Sequence, residues 1–299
     1  MSSVLSVNDN LKYTDGSKFF NRTKIIGGYD PYKDKNGVTR FGTKVFETEN
    51  MIVLGGGLFT LNKLFNVTPN LEVDYLENFL TGFNPEYGSG LNTAASSSTE
   101  SPIVCLFGVG TGGALDTINS TLDVKYWERE VQGMIPFRQT DLALAADEVD
   151  KYWFKSKTTD TPNNIEKTRY YLKSFETDPE IKALWLDSGE EGVDGSEVQN
   201  NVHLTPSSSS TPIETFVELT LKISKNDIQE YFADTQNVGI ARINTIGLFT
   251  GIKVSATDPS TGLTHTDYRH VKLFSKLNIN NEVLTSGKEL TIVYRIYTS

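Results

Sequence analysis

Only one cysteine, Cys105, and three histidines, His203, His265 and His270, occur in the 299-residue chain. A single thiol excludes an internal disulfide, an iron–sulfur cluster and a cysteine-rich zinc site. The apolar neighbours of Cys105 in SPIVCLFG mark it as a buried structural thiol, and no basic residue stands beside it to make it a nucleophile. Two of the histidines lie five apart in HTDYRH. A helical zinc pair needs i, i+4 spacing, and in a strand an odd separation sends the rings to opposite faces.

Positive charge is also scarce: 28 Lys and Arg against 38 Asp and Glu leave a formal charge of −10. That balance gives no general attraction to phosphate backbones, so no sequence-specific nucleic-acid partner is expected. No apolar run approaches the roughly 18 residues that cross a membrane. The opening MSSVLSVNDNLKYTDG has neither a basic start nor a continuous apolar stretch, so the expectation is a chain neither exported by a signal peptide nor embedded in a membrane. No serine sits in a G-x-S-x-G elbow. The segment DSGEEGVDGSE reads as a solvated acidic loop. An EF-hand frame begun at Asp187 puts Gly189 third and Val198 twelfth, where a bidentate Glu is required. No catalytic, cofactor-binding or metal-binding residue is therefore expected.

What the chain does have is core material: 37% hydrophobic residues, with 16 Phe and 13 Tyr, enough for one large domain or two ordinary ones. Two polar stretches, TAASSSTES (93–101) and TPSSSSTP (205–212), cannot bury apolar surface and read as exposed loops. They suggest three consecutive parts: 1–100, a segment with a hairpin and one helix that could serve as an arm; 101–204, mixed α/β; and 205–299, an antiparallel β region packed with the middle part as one body.

Local patterns fill in these parts. Asn36-Gly37 between strand-like flanks predicts a β-hairpin. In TPNLEVDYLENFLTG, Thr68 as cap, Pro69 after it and Gly82 as stop predict a helix. Leu142, Ala146, Val149 and Trp153 share one helical face, which predicts a second helix starting at Thr140. TRYYLKSFE is β-leaning, and Asp178-Pro179-Glu180 opens a short helix through Leu184 by the cap-plus-proline rule. Val217, Leu219, Leu221 and Ile223 alternate with polar residues, as a strand with one buried and one wet face does. Val271, Leu273, Leu277 and Ile279 repeat the pattern, as do Leu290, Ile292, Tyr294 and Ile296, and together the three predict one antiparallel sheet. SKNDIQEYFAD predicts a short helix capped by Ser224, with Asp227 three residues on. The fold class expected is β-rich α+β, with an antiparallel sheet or sandwich in the last third, a few short helices and long Ser/Thr loops.

In the stretch SPIVCLFGVGTGGALDTINS, Gly108, Gly110 and Gly113 spell the G-x-G-x-x-G of a dinucleotide-binding turn. The context disagrees: ALDTINSTLD is a poor helix, and the acidic residues about 20 positions on, Glu128 and Glu130, lie in a charged run rather than at a strand end. A structural turn after a buried strand is the reading that fits.

ARINTIGLFTGIKV, HVKLFSKLNI and ELTIVYRIYTS in the last third, with GVGTGGALDT and MIPFR in the middle, resemble segments of virion structural proteins of tailed bacteriophages. The nearest resemblance is to proteins of the head, neck or collar. The resemblance implies a non-enzymatic protein without cofactors that forms a homo-oligomeric ring at the head-to-tail junction. Its partners would be other virion structural proteins, with no membrane partner, and its place the virion, assembled in the host cytoplasm. Alternatives left open are a capsid-decorating or tail and baseplate protein, a carbohydrate-binding adhesin, and an enzyme using a nucleotide at GVGTGG.

Overall fold

A computed structural model describes residues 23–34, 38–48, 51–52, 56, 59–60, 102–115, 120–121, 131–142, 144–145, 148, 150–160, 163–177, 179–187, 202–203, 210–236, 241–257, 262, 264–284 and 288–298. The fold is β-rich α+β, with antiparallel sheets and, among the described residues, few helices. The strands are β1 (Thr23–Lys33), β2 (Thr39–Thr48), β3 (Met51–Ile52), β4 (Ile103–Gly110), β5 (Ala114–Leu115), β6 (Ser120–Thr121), β7 (Met134–Ile135) and β8 (Arg138–Thr140). They continue with β9 (Tyr152–Asp160), β10 (Ile165–Ser174), β11 (Glu180–Asp187), β12 (Val202–His203), β13 (Ser210–Ile223), β14 (Arg242–Thr257), β15 (Thr264–Val283) and β16 (Leu290–Thr298). Helix α1 covers Gln229–Gln236. Among the described residues no helix is long and apolar enough to cross a membrane.

The chain does not divide into three consecutive parts. Two units interleave: Met1–Asn50, Glu176–Lys222 and Glu289–Ser299 form one, and Met51–Phe175 with Ile223–Lys288 the other. The polar stretch 205–212 is not wholly a loop either, because β13 begins at Ser210.

The first unit holds a six-stranded sheet in the order β12-β11-β13-β16-β1-β2. β1 and β2 form the hairpin expected around Asn36-Gly37, with Lys33 opposite Thr39. The turn residues themselves lie outside the described set. β16 is paired on both edges, and both its faces are buried as well: Leu290, Ile292 and Tyr294 on one and Thr291, Val293, Arg295 and Tyr297 on the other, while Ile296 is half-buried. β13 likewise buries Glu218 on the face that alternation marks as wet. The expected helix from Glu180 is instead β11, paired with β13 from Glu180↔Glu218 to Asp187↔Ser210. A cap and a proline are worth about 1 kcal/mol of local preference, and a ladder of that length outweighs them.

The second unit is built on an eight-stranded sheet, a six-strand path β3-β15-β14-β4-β10-β8 with β7 added beside β4 and β9 beside β10. Its spine is the long β14–β15 hairpin, whose register shifts at three places. Buried between strands are Leu106, Leu172, Phe249, Val271 and Leu273, with Trp153 edge-on to Tyr268 at 4.8 Å. β15 is buried on both faces, since Phe274, Lys276 and Asn278 are covered as well as Val271, Leu273, Leu277 and Ile279. The three apolar-periodic strands therefore do not share a sheet: β13 and β16 belong to the first, β15 to the second. The helix expected from Thr140 does not begin there: Thr140 ends β8 and residues 141–142 form a bend, while Glu148 is helical and Ala146 and Val149 lie outside the described residues. Leu142 is 75% exposed, and Trp153 belongs to β9, where Tyr152, Trp153 and Phe154 are all buried. At Trp153, aromatic side chains packed across a sheet override the helical spacing. The helix expected over 68–82, the loop 93–101 and the acidic loop after Asp187 lie outside the described residues.

Candidate functional site

The glycine-rich segment takes a shape that neither turn motif requires. β4 runs through Gly108 and Gly110, so these glycines are strand residues and the turn begins only at Thr111. Their role is close approach. A Cβ on Gly110 would stand 2.3 Å from the Gln132 carbonyl oxygen, and one on Gly113 would stand 2.2 Å from Thr245 Oγ1 and 2.4 Å from the Asn244 oxygen. A phosphate cradle needs backbone N–H groups that point outward and unspent. Here the Thr111 N–H donates to the Gly133 carbonyl (3.0 Å), the Gly112 N–H to the Gln132 carbonyl (2.9 Å), and the Gly113 N–H to Asn244 Oδ1 (2.6 Å). The Asn244 amide closes the loop by donating to the Thr111 carbonyl at 2.8 Å. All three donors are consumed by the fold, and the segment pins β4 to the 131–134 turn and to β14.

The richest cluster of reactive side chains in the second unit gathers at the turn that opens α1. Tyr152 and Lys173 face each other across β9 and β10, which places the Lys173 ammonium 5.1 Å from the Tyr152 ring centre. Asp227 lies between them and the turn. Its Oδ1 accepts from the Tyr152 hydroxyl (2.6 Å), and its Oδ2 accepts from Lys173 Nζ (2.6 Å) and from the Ser224 backbone N–H (2.7 Å). That last bond is the acidic half of the capping box expected from Ser224 and Asp227. The Ser224 hydroxyl accepts a second Lys173 hydrogen bond at 2.9 Å. Burial first, and then the adjacent Asp227 charge, push the Tyr152 phenol well above its ordinary range. Next to this group, Arg138 bonds Glu148 at 3.1 Å and Glu230 at 3.3 Å. Burial works against its charge, but Glu230 and Glu148 outweigh burial and raise its pKa.

A serine, a lysine and a tyrosine together are the parts of a Ser–Lys acyl-transfer centre. In this arrangement Ser224 Oγ accepts from Lys173, and Lys173 is in turn paired to the Asp227 carboxylate.

No family model, curated protein or solved structure matches this chain.

The first unit has a polar centre of its own on Glu218. Arg295 Nε reaches Oε2 at 2.9 Å, while Lys182 Nζ (2.9 Å), Lys33 Nζ (3.3 Å) and Thr39 Oγ1 (3.2 Å) meet Oε1. Burial pushes the carboxyl up, but the Lys182 hydrogen bond and the Arg295 charge more than reverse it and hold the group at about 2. Arg295 also lies over the Phe216 ring at 5.6 Å. Four strands, β1, β2, β11 and β16, are tied through one carboxylate of β13.

The residues singled out in the sequence are dispersed. Cys105 is buried, with its thiol pushed up to about 12 by burial. His203 lies in β12 of the first unit, and His265 and His270 lie in β15 of the second. Among the described residues no group of three or more His, Cys, Asp or Glu is placed to hold a metal ion. Sequence reading missed Lys173, Glu218 and Arg295. Charged residues in strongly apolar strands were the available signal, but matching each to its partner requires the register.

Proposed function

We propose that the chain is a non-enzymatic structural subunit of a tailed-phage virion, acting as a homo-oligomeric ring in the neck or collar at the head-to-tail junction. The observation that carries this reading is where the virion-like stretches fall. ARINTIGLFTGIKV is β14, HVKLFSKLNI is the centre of β15, and ELTIVYRIYTS is β16. Three of the five stretches thus lie in strands that build both sheets, and GVGTGGALDT runs from the end of β4 into the loop whose amides are spent on the fold. The inward-turned polar groups add support, since the amides of the glycine loop and the charges at Asp227 and Glu218 are spent on the fold. A ring closes heterologous contacts between identical subunits. Ile181 on β11, 83% exposed, and Leu142, 75% exposed, are apolar surface suited to such contacts. The net charge of −10 lets DNA pass without adhering.

Mass photometry of the purified protein, followed by cryo-electron microscopy of purified particles, tests the proposal. The expected result is a closed ring of fixed copy number at the junction. A protein that stays monomeric at high concentration and is absent from particles would overturn it, and density at the capsid surface or baseplate would move the subunit to that position.

A further inference from the structure

We propose that Lys173 and Asp227 join in an intramolecular amide bond, made by the folded chain itself with loss of water. The bond would form within a single chain and stands apart from any assembly role.

The two oxygens of Asp227 are held differently, and the difference matches the two parts they would play. Oδ2 carries the Lys173 Nζ contact at 2.6 Å and the Ser224 N–H at 2.7 Å, whereas among the described residues Oδ1 carries the Tyr152 hydroxyl at 2.6 Å. Cγ lies one bond beyond the contacted oxygen, so amine and carboxyl are held together as an intramolecular pair. Lys173, Tyr152 and Asp227 are only 4%, 3% and 1% exposed, which keeps bulk water from competing. The following residue is under constraint: Ile228 is held at φ 70°, a conformation that β-branched residues rarely adopt.

The ammonium first passes one proton to Oδ2, leaving an amine and a carboxylic acid. The nitrogen lone pair attacks Cγ, a C–N bond forms, and the C=O pair moves onto Oδ1, where the Tyr152 hydroxyl stabilises the developing oxyanion. A second proton leaves the nitrogen for Oδ2, the oxygen that Nζ already meets at 2.6 Å. The C–Oδ2 bond then breaks, water departs, and the carbonyl re-forms at Oδ1. Three N–H protons become one amide proton and two in water, and charge is conserved. The product also removes two charges from the interior, where burying them is costly.

Glu218 shows why the first unit's buried carboxylate is not equivalent. Arg295, Lys182 and Lys33 all neutralise it and keep it ionised, and a carboxylate fixed in that form is a poor electrophile.

The test is the intact mass of the folded, full-length protein, followed by tryptic peptide mapping. The expected mass is lighter than the sequence by one water, with a branched peptide joining residues 173 and 227. Lys173→Arg should restore the full sequence mass. Asp227→Asn should yield the same amide with loss of ammonia, a readout that a simple ion pair cannot produce. Tyr152→Phe should slow the appearance of the branched peptide at least tenfold after refolding. If Tyr152→Phe bonds as fast as the parent, its catalytic role is lost and the bond stands. If the parent protein keeps its full mass, with 173 and 227 in separate linear peptides after days in the folded state, the bond is refuted.

Discussion

Replacing Glu218 with glutamine keeps the shape of the side chain and removes its charge, leaving Arg295 and Lys182 without their common counter-ion. The carboxyl is held at about 2 against an ordinary 4.5, a difference that corresponds to roughly 3 kcal/mol of folding stability at neutral pH. Breaking one side of a buried ion pair typically costs about 3–5 kcal/mol. Lys33 is largely exposed and Lys182 partly so, which favours the lower end. A loss of about 3 kcal/mol lowers the melting midpoint of a chain this size by roughly 6–12 °C. The sign with pH follows from the lowered value. The folded carboxylate takes up its proton later than the unfolded one, so its contribution is complete above about pH 4.5 and is lost as pH falls toward about 2. Thermal melts of parent and Glu218→Gln followed by near-ultraviolet circular dichroism should therefore show a gap at pH 7 that has roughly halved by about pH 3. A variant within about 0.5 kcal/mol of the parent at pH 7, or a gap that does not change with pH, would refute the role given to this cluster.

Gly110→Ala should lower stability by about 1–3 kcal/mol through overpacking against the Gln132 oxygen, and calorimetric titration of the parent with a dinucleotide should show no binding. Dinucleotide binding abolished by Gly110→Ala would reverse the reading of that loop. Deleting residues 289–299 removes β16 from between β13 and β1 and should abolish soluble expression; a truncated chain that melts like the parent would contradict the topology. Cys105, with its thiol pushed up to about 12 by burial, should react with a chromogenic disulfide only after urea unfolds the protein, and reaction in native buffer would show that it is not enclosed. Leu142→Glu should change stability by less than about 0.5 kcal/mol, whereas a larger loss would mean that Leu142 is part of a buried helical face after all.

Period-two alternation was enough by itself to mark the strands at 217–223, 271–279 and 290–296, because one face of each strand meets a core whatever sheet it joins. Asn36-Gly37 announced its hairpin, and Ser224 with Asp227 a helix start that the structure realises as a turn ahead of α1, which begins at Gln229, since both depend only on residues a few positions apart. Membership of a sheet is a different kind of fact. β13 and β16 pair with each other and β15 pairs elsewhere because of contacts between residues far apart in the chain, and alternation is identical in either case. The same holds for the second face of each strand. Glu218 and Arg295 occupy positions that look wet, and only the register that sets them beside Lys182, Lys33 and Thr39 makes burying their charge tolerable. Local preference misled where it was weak: the cap and proline at 178–180 and the helical spacing at Trp153 gave way to ladders and aromatic packing. Lys173 and Asp227, 54 residues apart, carry no sign of each other in the sequence, and their contact exists only because β10 and the turn before α1 are brought to the same place by the fold.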